Sequence, residues 1–281
     1  MPADKPALIV AVADWHTNST VGLNPISLRR ELGSQHVAGK IGRATWRSWL
    51  AFWRVVEEKK AQYQATVFTF AVGDLGDKNT HSNIQLITNS EIEIQDAMAE
   101  VADPMSQGSD YVFILRGTES HVGPNGKLEE WLARDLDNAV PYSEGVASWW
   151  VANVEIAGKK FMVTHHPPTV SRRPWTLRAA VSRSASIVAG QHLDAGDTRN
   201  KPDVCMWAHA HTRGALAYGM GDTTGIFLPP WQLHTGFAHR IGAGSAPRCV
   251  GGFWMVVRDG KVLEWEFERW WPQREKLWSA P

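Results

Sequence analysis

Apolar runs alternate along the first half of the chain with segments in which apolar residues recur at helical spacing. Residues 7–13 and 66–72 are almost wholly apolar, which is typical of strands buried on both faces. Residues 43–60 place Trp46, Trp49 and other apolar side chains three and four apart, so they predict an amphipathic helix. The same patterns predict strands at 111–115 and 203–209 and helices at 89–103, 127–136 and 174–189.

The second half of the chain has the pattern of antiparallel strands. Residues 148–156 and 160–166 flank the dipeptide 157–158, Ala-Gly, which is a hairpin signal. An α/β first half followed by an antiparallel second half predicts two packed sheets covered by helices. We expect a single domain over residues 1–281, in which residues from about 212 to 281 complete the second sheet. The strands predicted there are 225–229, 252–257 and 262–269.

Residues able to bind metal ions follow each of five predicted strands. Ligands of open α/β sheets sit at the carboxyl ends of the strands, so we expect these segments to converge on one crevice. His209 and His211 are two apart, and on extended backbone both side chains would point to the same face. The full set is Asp14 and His16, Asp74 and Asp77, Glu119 and His121, His165 and His166, and His209 and His211.

Each pair taken alone has an ordinary structural interpretation. Asp14 and His16 would suit a helix cap or turn, and the Gly73-Asp74 dipeptide opens many turns. A buried histidine is as often a hydrogen-bonded core residue as a ligand. Their joint occurrence at successive strand ends, in a chain with 11 histidines, favours a metal site.

The donor types restrict the metal and its chemistry. Without thiolates among the donors, a cysteine-rich structural zinc site is excluded. Imidazole mixed with carboxylate suits Zn, Mn, Fe, Co or Ni. Six or seven donors exceed the needs of one tetrahedral ion but suit two ions that share a carboxylate. Such ions, about 3.5–4 Å apart, lower the pKa of bound water and stabilise both oxygens of a phosphoryl displacement. The pattern therefore predicts hydrolysis of a phosphoester.

Five blocks in this order resemble the motifs of calcineurin-like metallophosphoesterases: "DWH", "GDLGD", "GTESH", "HHPP" and "AHAH", between residues 14 and 211. The resemblance implies an αββα sandwich of two mixed sheets flanked by helices, with a centre of two divalent ions. It implies that Asp74 bridges the ions, and that His166 is a neighbour of a ligand. It assigns Asp14, His16 and His211 to the first ion, and His165 and His209 to the second.

The third block departs from the family pattern. The family places Asn after Gly as a ligand of the second ion, followed by His. This chain has Thr118 and Glu119 there, and His121 comes two positions late. We expect Glu119 to bind the second ion and His121 to donate a proton or hold the phosphate, with Thr118 in the Asn role as the alternative. The extra carboxylate favours harder ions, so manganese is expected, with Mg, Zn, Fe, Ni or Co possible. The variant block is similar to phosphoesterases encoded by bacteriophages.

Nearby arginines and tryptophans bear on the substrate. Arg172 and Arg173 follow the "HHPP" block and suit bidentate phosphate binding, with a solvated helix face as an equal alternative. Trp15 and Trp207 could stack on a nucleobase, although packing behind the ligands is favoured. We therefore expect a phosphodiesterase or nuclease acting on a nucleotide-containing substrate. The alternatives are a phosphomonoesterase, a protein phosphatase or an inactive metal-binding scaffold.

Charge and composition exclude other classes. The 29 basic and 29 acidic residues balance, so no global field attracts nucleic acid or anionic membranes, and only a local basic patch would do so. The sequence has no apolar run near 18 residues and no leader with a cleavage site, so we expect no membrane partner. Two cysteines are too few for a disulfide framework, and we expect a cytoplasmic location. The pattern leaves the oligomeric state open.

Overall fold

Two mixed β-sheets pack face to face, with helices on their outer faces, in a computed structural model that describes residues 5–30, 33–78, 85–171, 173, 175–236 and 248–272. In chain order the elements are β1 (Ala7–Val12), β2 (Ser27–Arg29), β3 (Gln35–Val37), α1 (Lys40–Tyr63), β4 (Thr66–Val72), α2 (Glu91–Gly108), β5 (Tyr111–Leu115), α3 (Glu119–Val122), α4 (Lys127–Asp135), β6 (Val151–Ile156), β7 (Lys159–Thr164), α5 (Leu177–Asp194), β8 (Val204–Trp207), β9 (Ala215–Tyr218), β10 (Thr224–Phe227), β11 (Val250–Arg258) and β12 (Lys261–Trp270).

The two sheets have five strands each. The first has the order β12-β11-β1-β4-β5, in which β1, β4 and β5 are parallel and β11 and β12 are antiparallel to their neighbours. The second has the order β6-β7-β8-β10-β9, with a parallel centre and an antiparallel strand at each edge. The predicted class, two mixed sheets flanked by helices, is confirmed.

The C-terminal strands divide between the two sheets. Residues 215–227 do join the second sheet, but β11 pairs with β1 and β12 pairs with β11, so both extend the first. The prediction that the chain from about residue 212 completes the second sheet is therefore wrong for residues 250–270. Eight of the nine residues of β11 are buried, which fits a strand inside the first sheet between β1 and β12.

Alternate residues of the central strands point into two different cores. In β1, which is buried throughout, Ile9 faces the other sheet and packs with Phe70 and Met206. Leu8 and Val10 face the opposite way, toward the layer of helices. A strand covered on both faces has no polar face, which explains the continuous apolar run in the sequence.

Most of the buried tryptophans fill the helix-covered core. Trp49 of α1 lies between Trp15, Trp53 and Trp231, with ring centroids 5.5, 5.4 and 4.8 Å away. Its indole N–H donates to the Val101 carbonyl oxygen at 3.0 Å. The periodicity that predicted the helix therefore reflects packing of large aromatic residues against the first sheet.

Glu130 of α4 anchors the loop that leads to β6. Its carboxylate accepts hydrogen bonds from the backbone N–H groups of Ala147 and Ser148 at 3.0 and 2.9 Å, and from Arg134 at 2.7 Å. Burial would raise the pKa of this carboxyl, but the hydrogen bonds outweigh burial and lower the pKa to about 2.

We expect Glu130→Gln to lower the free energy of unfolding by about 1–3 kcal/mol near neutral pH, because hydrogen bonds to a charged acceptor are lost. The ordinary pKa is 4.5 and the folded pKa about 2, so this contribution is complete above pH 4.5 and disappears as the pH falls toward 2. Urea unfolding near neutral pH and at about pH 3 measures the difference. Glu144→Gln, an exposed carboxylate on the same loop, is the control. A loss of equal size at both pH values would contradict this account.

Candidate metal centre

Side chains able to bind metal ions meet at the edge where the parallel strands of both sheets end. Backbone hydrogen bonds join the strand exits, since the Asp14 N–H donates to the Gly73 oxygen at 3.0 Å and the Ala208 N–H donates to the His165 oxygen at 3.0 Å. The exits bring together Asp14 and His16 after β1, Asp74 and Asp77 after β4, Thr118 and His121 after β5, His165 and His166 after β7, and His209 and His211 after β8.

The first donor group consists of Asp14, His16 and His211. His211 Nε2 lies 3.2 Å from Asp14 Oδ1 and 3.2 Å from His16 Nε2. Asp14 is fully buried, and among the described residues neither of its oxygens accepts a well-aligned hydrogen bond. A buried carboxylate without donors is costly unless a cation offsets its charge.

The second donor group consists of His165, His166 and His209. One nitrogen of each ring lies 3.3–3.5 Å from the hydroxyl oxygen of Thr118. His165 Nδ1 donates to the carbonyl oxygen of Val72 at 2.8 Å. This bond orients the ring so that Nε2 faces the centre, as it does in histidines that bind metal ions.

Asp74 lies between the two donor groups. Its Oδ2 is 3.8 Å from His16 Nε2 and 3.1 Å from His165 Nε2. Its Oδ1 accepts the backbone N–H of Thr118 at 2.6 Å. One buried carboxylate therefore faces imidazoles of both groups while a backbone hydrogen bond holds it in place.

The donor residues have an unusual backbone conformation. Residues with a side chain rarely adopt positive φ, although Asp and His tolerate it better than most. At a strand end this conformation turns the chain sharply, which directs the side chain back over the edge of the sheet. The φ values lie between 45° and 61° for Asp14, His16, Asp74, His209 and His211.

Two glycines make room for this arrangement. A Cβ at Gly73, which has a φ of +70°, would lie 2.6 Å from His165 Nδ1. A Cβ at Gly117 would lie 2.1 Å from the backbone nitrogen of Asp74. The glycines of the "GDLGD" and "GTESH" blocks thus allow the exits of β4 and β5 to approach each other and the second donor group.

The titration of the donors follows from their contacts. Burial would raise the pKa of Asp74, but the charges of the nearby histidines and the hydrogen bond with His165 together outweigh burial and hold that pKa well below its usual range. Burial lowers the pKa of His165, but the nearby carboxylate charges and the hydrogen bond with Asp74 together outweigh burial and raise the pKa to about 9. Burial and the charge of His165 lower the pKa of His209 to about 4. His209 is therefore neutral at neutral pH and can donate its lone pair to a cation.

These donors fit a pair of divalent ions. In each group three ligand atoms lie within 4.8 Å of one another, and imidazole with carboxylate is the donor set that Zn, Fe, Ni or Mn accepts. Asp14 Oδ2, which is buried and accepts no hydrogen bond among the described residues, is an independent structural sign that this group suits a cation. The ligand roles of the predicted residues stay predictions. The positions of these residues allow every predicted ligand role except the one expected for Glu119.

Glu119 does not reach the centre. It opens α3 as an exposed residue, and its carboxylate accepts the backbone N–H of Asn125 at 3.0 Å. The preceding residue, Thr118, faces the second group instead, with its hydroxyl also 3.3 Å from Asp74 Oδ2. The prediction that Glu119 supplies the oxygen is therefore contradicted, because helical backbone begins at that residue and turns its side chain away.

His121 and Asp77 form a pair beside the first group. His121 Nδ1 lies 3.0 Å from Asp77 Oδ1, and His16 Nδ1 lies 3.6 Å from Asp77 Oδ2. Burial lowers the pKa of His121, but its hydrogen bond to Asp77 and the charges of the nearby carboxylates together outweigh burial and raise that pKa. The sequence placed Asp77 at this edge without giving it a role. The Gly-Asp-x-x-Asp spacing was the available signal.

The residues expected to bind substrate are placed differently. Trp15 and Trp207 are fully buried, so they pack behind the donors and do not stack on a base. Arg173 is exposed on the turn before α5, and its part in substrate binding stays a prediction. Arg172 lies outside the described residues. The helices described here include none that combines the length and apolarity needed to cross a membrane.

Comparison with known proteins finds likeness only at the level of structure. No protein-family model matches the sequence, and no curated protein matches it. One similar solved structure is a 5'-nucleotidase precursor from Thermus thermophilus, with 11% identity over 94% of this chain and 54% of that chain, and a TM-score of 0.43. A Vps29 variant from Entamoeba histolytica has 10% identity over 94% of this chain and 99% of that chain, with a TM-score of 0.41. A novel archaeal phosphodiesterase has 12% identity over 92% of this chain and 99% of that chain, with a TM-score of 0.40. The chain spans about half the length of the nucleotidase precursor. Neither family nor activity follows from likeness at this level.

Proposed function

We propose that this protein is a phosphoesterase of the calcineurin-like kind that works with two divalent ions. The observation that carries the proposal is the position of Asp74, whose Oδ2 lies 3.8 Å from His16 Nε2 and 3.1 Å from His165 Nε2. A carboxylate shared by two donor groups suits a pair of ions. Such ions, when bound, supply Lewis-acid stabilisation of the phosphoryl group and lower the pKa of nearby water.

The chain's own residues divide the remaining work. Asp74 keeps the two donor groups at a fixed separation, because its other oxygen is held by the Thr118 backbone. Hydrogen bonds between the strand exits fix the donors before any ion binds, which reduces the reorganisation that binding requires. The first ion would be held by Asp14, His16 and His211, and the second by His165, His166 and His209, with Asp74 shared.

His121 is proposed as the proton donor to the leaving oxygen, or as the group that holds the phosphate. Its side chain is 37% exposed, so substrate can reach it. The Asp77 carboxylate accepts a hydrogen bond from His121 Nδ1, so Nε2 is the atom that meets the substrate. The same carboxylate favours the charged, proton-donating form of His121. Asp77 is a positioning residue in this scheme.

The substrate is proposed to be a nucleotide-containing phosphodiester. With Trp15 and Trp207 buried, the support for this substrate is Arg213, two residues after the donor His211, and the exposed tryptophans of the cleft that Arg213 lines. The reason for preferring manganese was the carboxylate of Glu119. Without it the second group is richer in imidazole, which also suits Zn, Fe and Ni. Manganese is therefore one proposal among several ions to be tested.

The test is turnover of bis-p-nitrophenyl phosphate after removal of all metal and reconstitution with Mn, Zn, Fe, Co, Ni or Mg in turn. We expect hydrolysis that depends on the added ion and metal content that reaches two ions per chain. p-Nitrophenyl phosphate is the parallel substrate. A preference for this monoester of tenfold or more, which is about 1.4 kcal/mol, would favour a phosphomonoesterase. Absence of turnover with every ion, despite full metal content, would favour the inactive scaffold.

Metal content also tests the assignment of the second group. We expect His166→Ala to weaken binding of one ion by at least about tenfold, since even groups that only support ligands contribute that much. Glu119→Ala, which removes an exposed carboxylate facing solvent, is the matched control and should keep both ions. Titration with Mn or Zn, followed by metal analysis, measures both variants. If Glu119→Ala loses an ion while His166→Ala keeps two, the assignment is wrong.

A further inference from the structure

A cleft of about 490 Å³ lies between β9 and β12, the edge strands of the two sheets on one side of the molecule. Three of its lining residues are tryptophans, and all three are exposed, whereas Trp15, Trp49 and other tryptophans are buried. A cluster of exposed aromatic residues marks a binding surface more often than scattered ones do. The three are Trp175, Trp265 and Trp271, with exposed fractions of 77%, 40% and 48%.

The same cleft is rich in positive charge. Arg178, Arg213 and Arg269 line it, and Glu266 is the acidic residue among the described residues of the lining. The Arg269 Nε–H donates to the Arg213 carbonyl oxygen at 2.7 Å, so β12 is joined to the segment that leads into β9. Guanidinium groups bind phosphates in a bidentate manner and also stack on flat rings.

One chain segment connects the metal centre to the cleft. Arg213 lies two residues after the donor His211, on the loop between β8 and β9. A ligand in the cleft would therefore contact the chain segment that directly follows the donor His211.

We propose that this cleft binds a single strand of nucleic acid, with bases stacked on its tryptophans and phosphates paired with its arginines. Grooves that combine cations with exposed aromatic rings are the usual means of holding single strands without sequence preference. An apolar protein surface would use the tryptophans but would not match the positive charge of the three arginines. An isolated phosphate would use the arginines but leave three exposed rings unused. The proposal rests on the proposed function only for what happens to the strand after it binds.

The experiment is fluorescence anisotropy of a labelled oligothymidylate of roughly 12 nucleotides, a typical length for one such groove. The full chain is used in chelator, so no hydrolysis interferes. Trp175→Ala should raise the Kd by about 5- to 100-fold, the range for one lost base stack. Its matched control is Trp150→Ala, because Trp150 is 49% exposed on the β6 side of the molecule and should bind as the unchanged protein does.

The salt dependence of binding tests the arginines separately. Arg178→Ala combined with Arg213→Ala should reduce the slope of log K against log salt by about 1.4, which corresponds to two lost phosphate contacts on a single strand. Arg54→Ala, an exposed arginine of α1, should leave the slope unchanged. Circular dichroism and thermal unfolding of each variant show that the chain is folded.

Several outcomes would overturn the inference. Equal Kd values for Trp175→Ala and Trp150→Ala would place the strand elsewhere. Displacement of the oligomer by a mononucleotide at the same concentration of nucleotide units would indicate a mononucleotide site. A dimer in sedimentation equilibrium that Trp175→Ala dissociates would indicate a contact between copies. Failure of the proposed function can be told apart from failure of this inference. Binding of the oligomer without turnover of bis-p-nitrophenyl phosphate would support the binding cleft and contradict the proposed phosphoesterase activity.

Discussion

Asp74→Asn is expected to reduce hydrolysis by at least roughly 10³-fold, or about 4 kcal/mol of transition-state stabilisation. The substitution removes the charge that both donor groups share, so the repulsion between two bound cations would no longer be offset between them. The amide oxygen can still accept the Thr118 N–H that Asp74 Oδ1 accepts at 2.6 Å. The chain should therefore stay folded while its affinity for the ions falls.

Metal analysis and turnover of the reconstituted variant measure this prediction together. We expect fewer than two ions per chain at moderate metal concentration, and little recovery of turnover when the ions are supplied in excess. Asp103→Asn, an exposed carboxylate of α2, is the matched control and should behave as the unchanged protein. Near-normal turnover of Asp74→Asn would mean that the two donor groups do not act as one centre.

His121→Ala is expected to lower kcat by about 10²–10⁴-fold for substrates whose leaving oxygen needs a proton. His121 lies close to His16 and Asp77 as a further possible ligand, and its proposed role as proton donor requires that both ions remain bound in the variant, which metal analysis checks. Nitrophenolate leaves without a proton, so bis-p-nitrophenyl phosphate should lose much less than a dinucleotide. Comparison of the two substrates in one variant separates proton donation from a general loss of structure.

Asp77→Asn tests proton donation by His121, because it removes the carboxylate that is hydrogen-bonded to that histidine. Asp77 Oδ1 accepts a hydrogen bond from His121 Nδ1 at 3.0 Å, and this bond helps to keep the pKa of His121 above its ordinary value. Without that carboxylate the pKa falls, so His121 loses its proton at a lower pH. The alkaline fall in kcat for a dinucleotide should therefore move to lower pH. An unchanged profile, or equal losses for both substrates in His121→Ala, would assign His121 to phosphate binding alone.

The fold class and the convergence of the strand exits could be predicted because each rests on a local pattern. The run at residues 7–13 is apolar throughout because β1 is covered on both faces. Donors that directly follow parallel strands must meet, since the strands end at the same edge. The pairing of β11 with β1 could not be predicted in this way, because an apolar run does not identify its neighbours in the sheet.

The third block shows where spacing stops being informative. Thr118 and Glu119 are adjacent, and both carry an oxygen that could bind a cation. A helix that begins at Glu119 and a hydrogen bond to Asn125 decide between them, and neither is visible in the order of the residues. His165 and His166 pose the same difficulty. β7 ends at Thr164, so the alternation of a strand no longer sends adjacent side chains to opposite faces, and both imidazoles reach the second group.

The positive φ values of five donor residues destabilise the folded state of the metal-free protein. A side chain in this conformation costs about 1 kcal/mol or more, so the five together cost on the order of 5 kcal/mol. That is comparable with the whole net stability of many domains. Packing in the two cores must therefore offset this conformational cost for the metal-free chain to fold. Ions that bind only the folded chain would add to the free energy of unfolding and so offset part of the same cost. The difference in melting temperature between metal-free and metal-loaded protein measures how much of the folded population depends on metal supply.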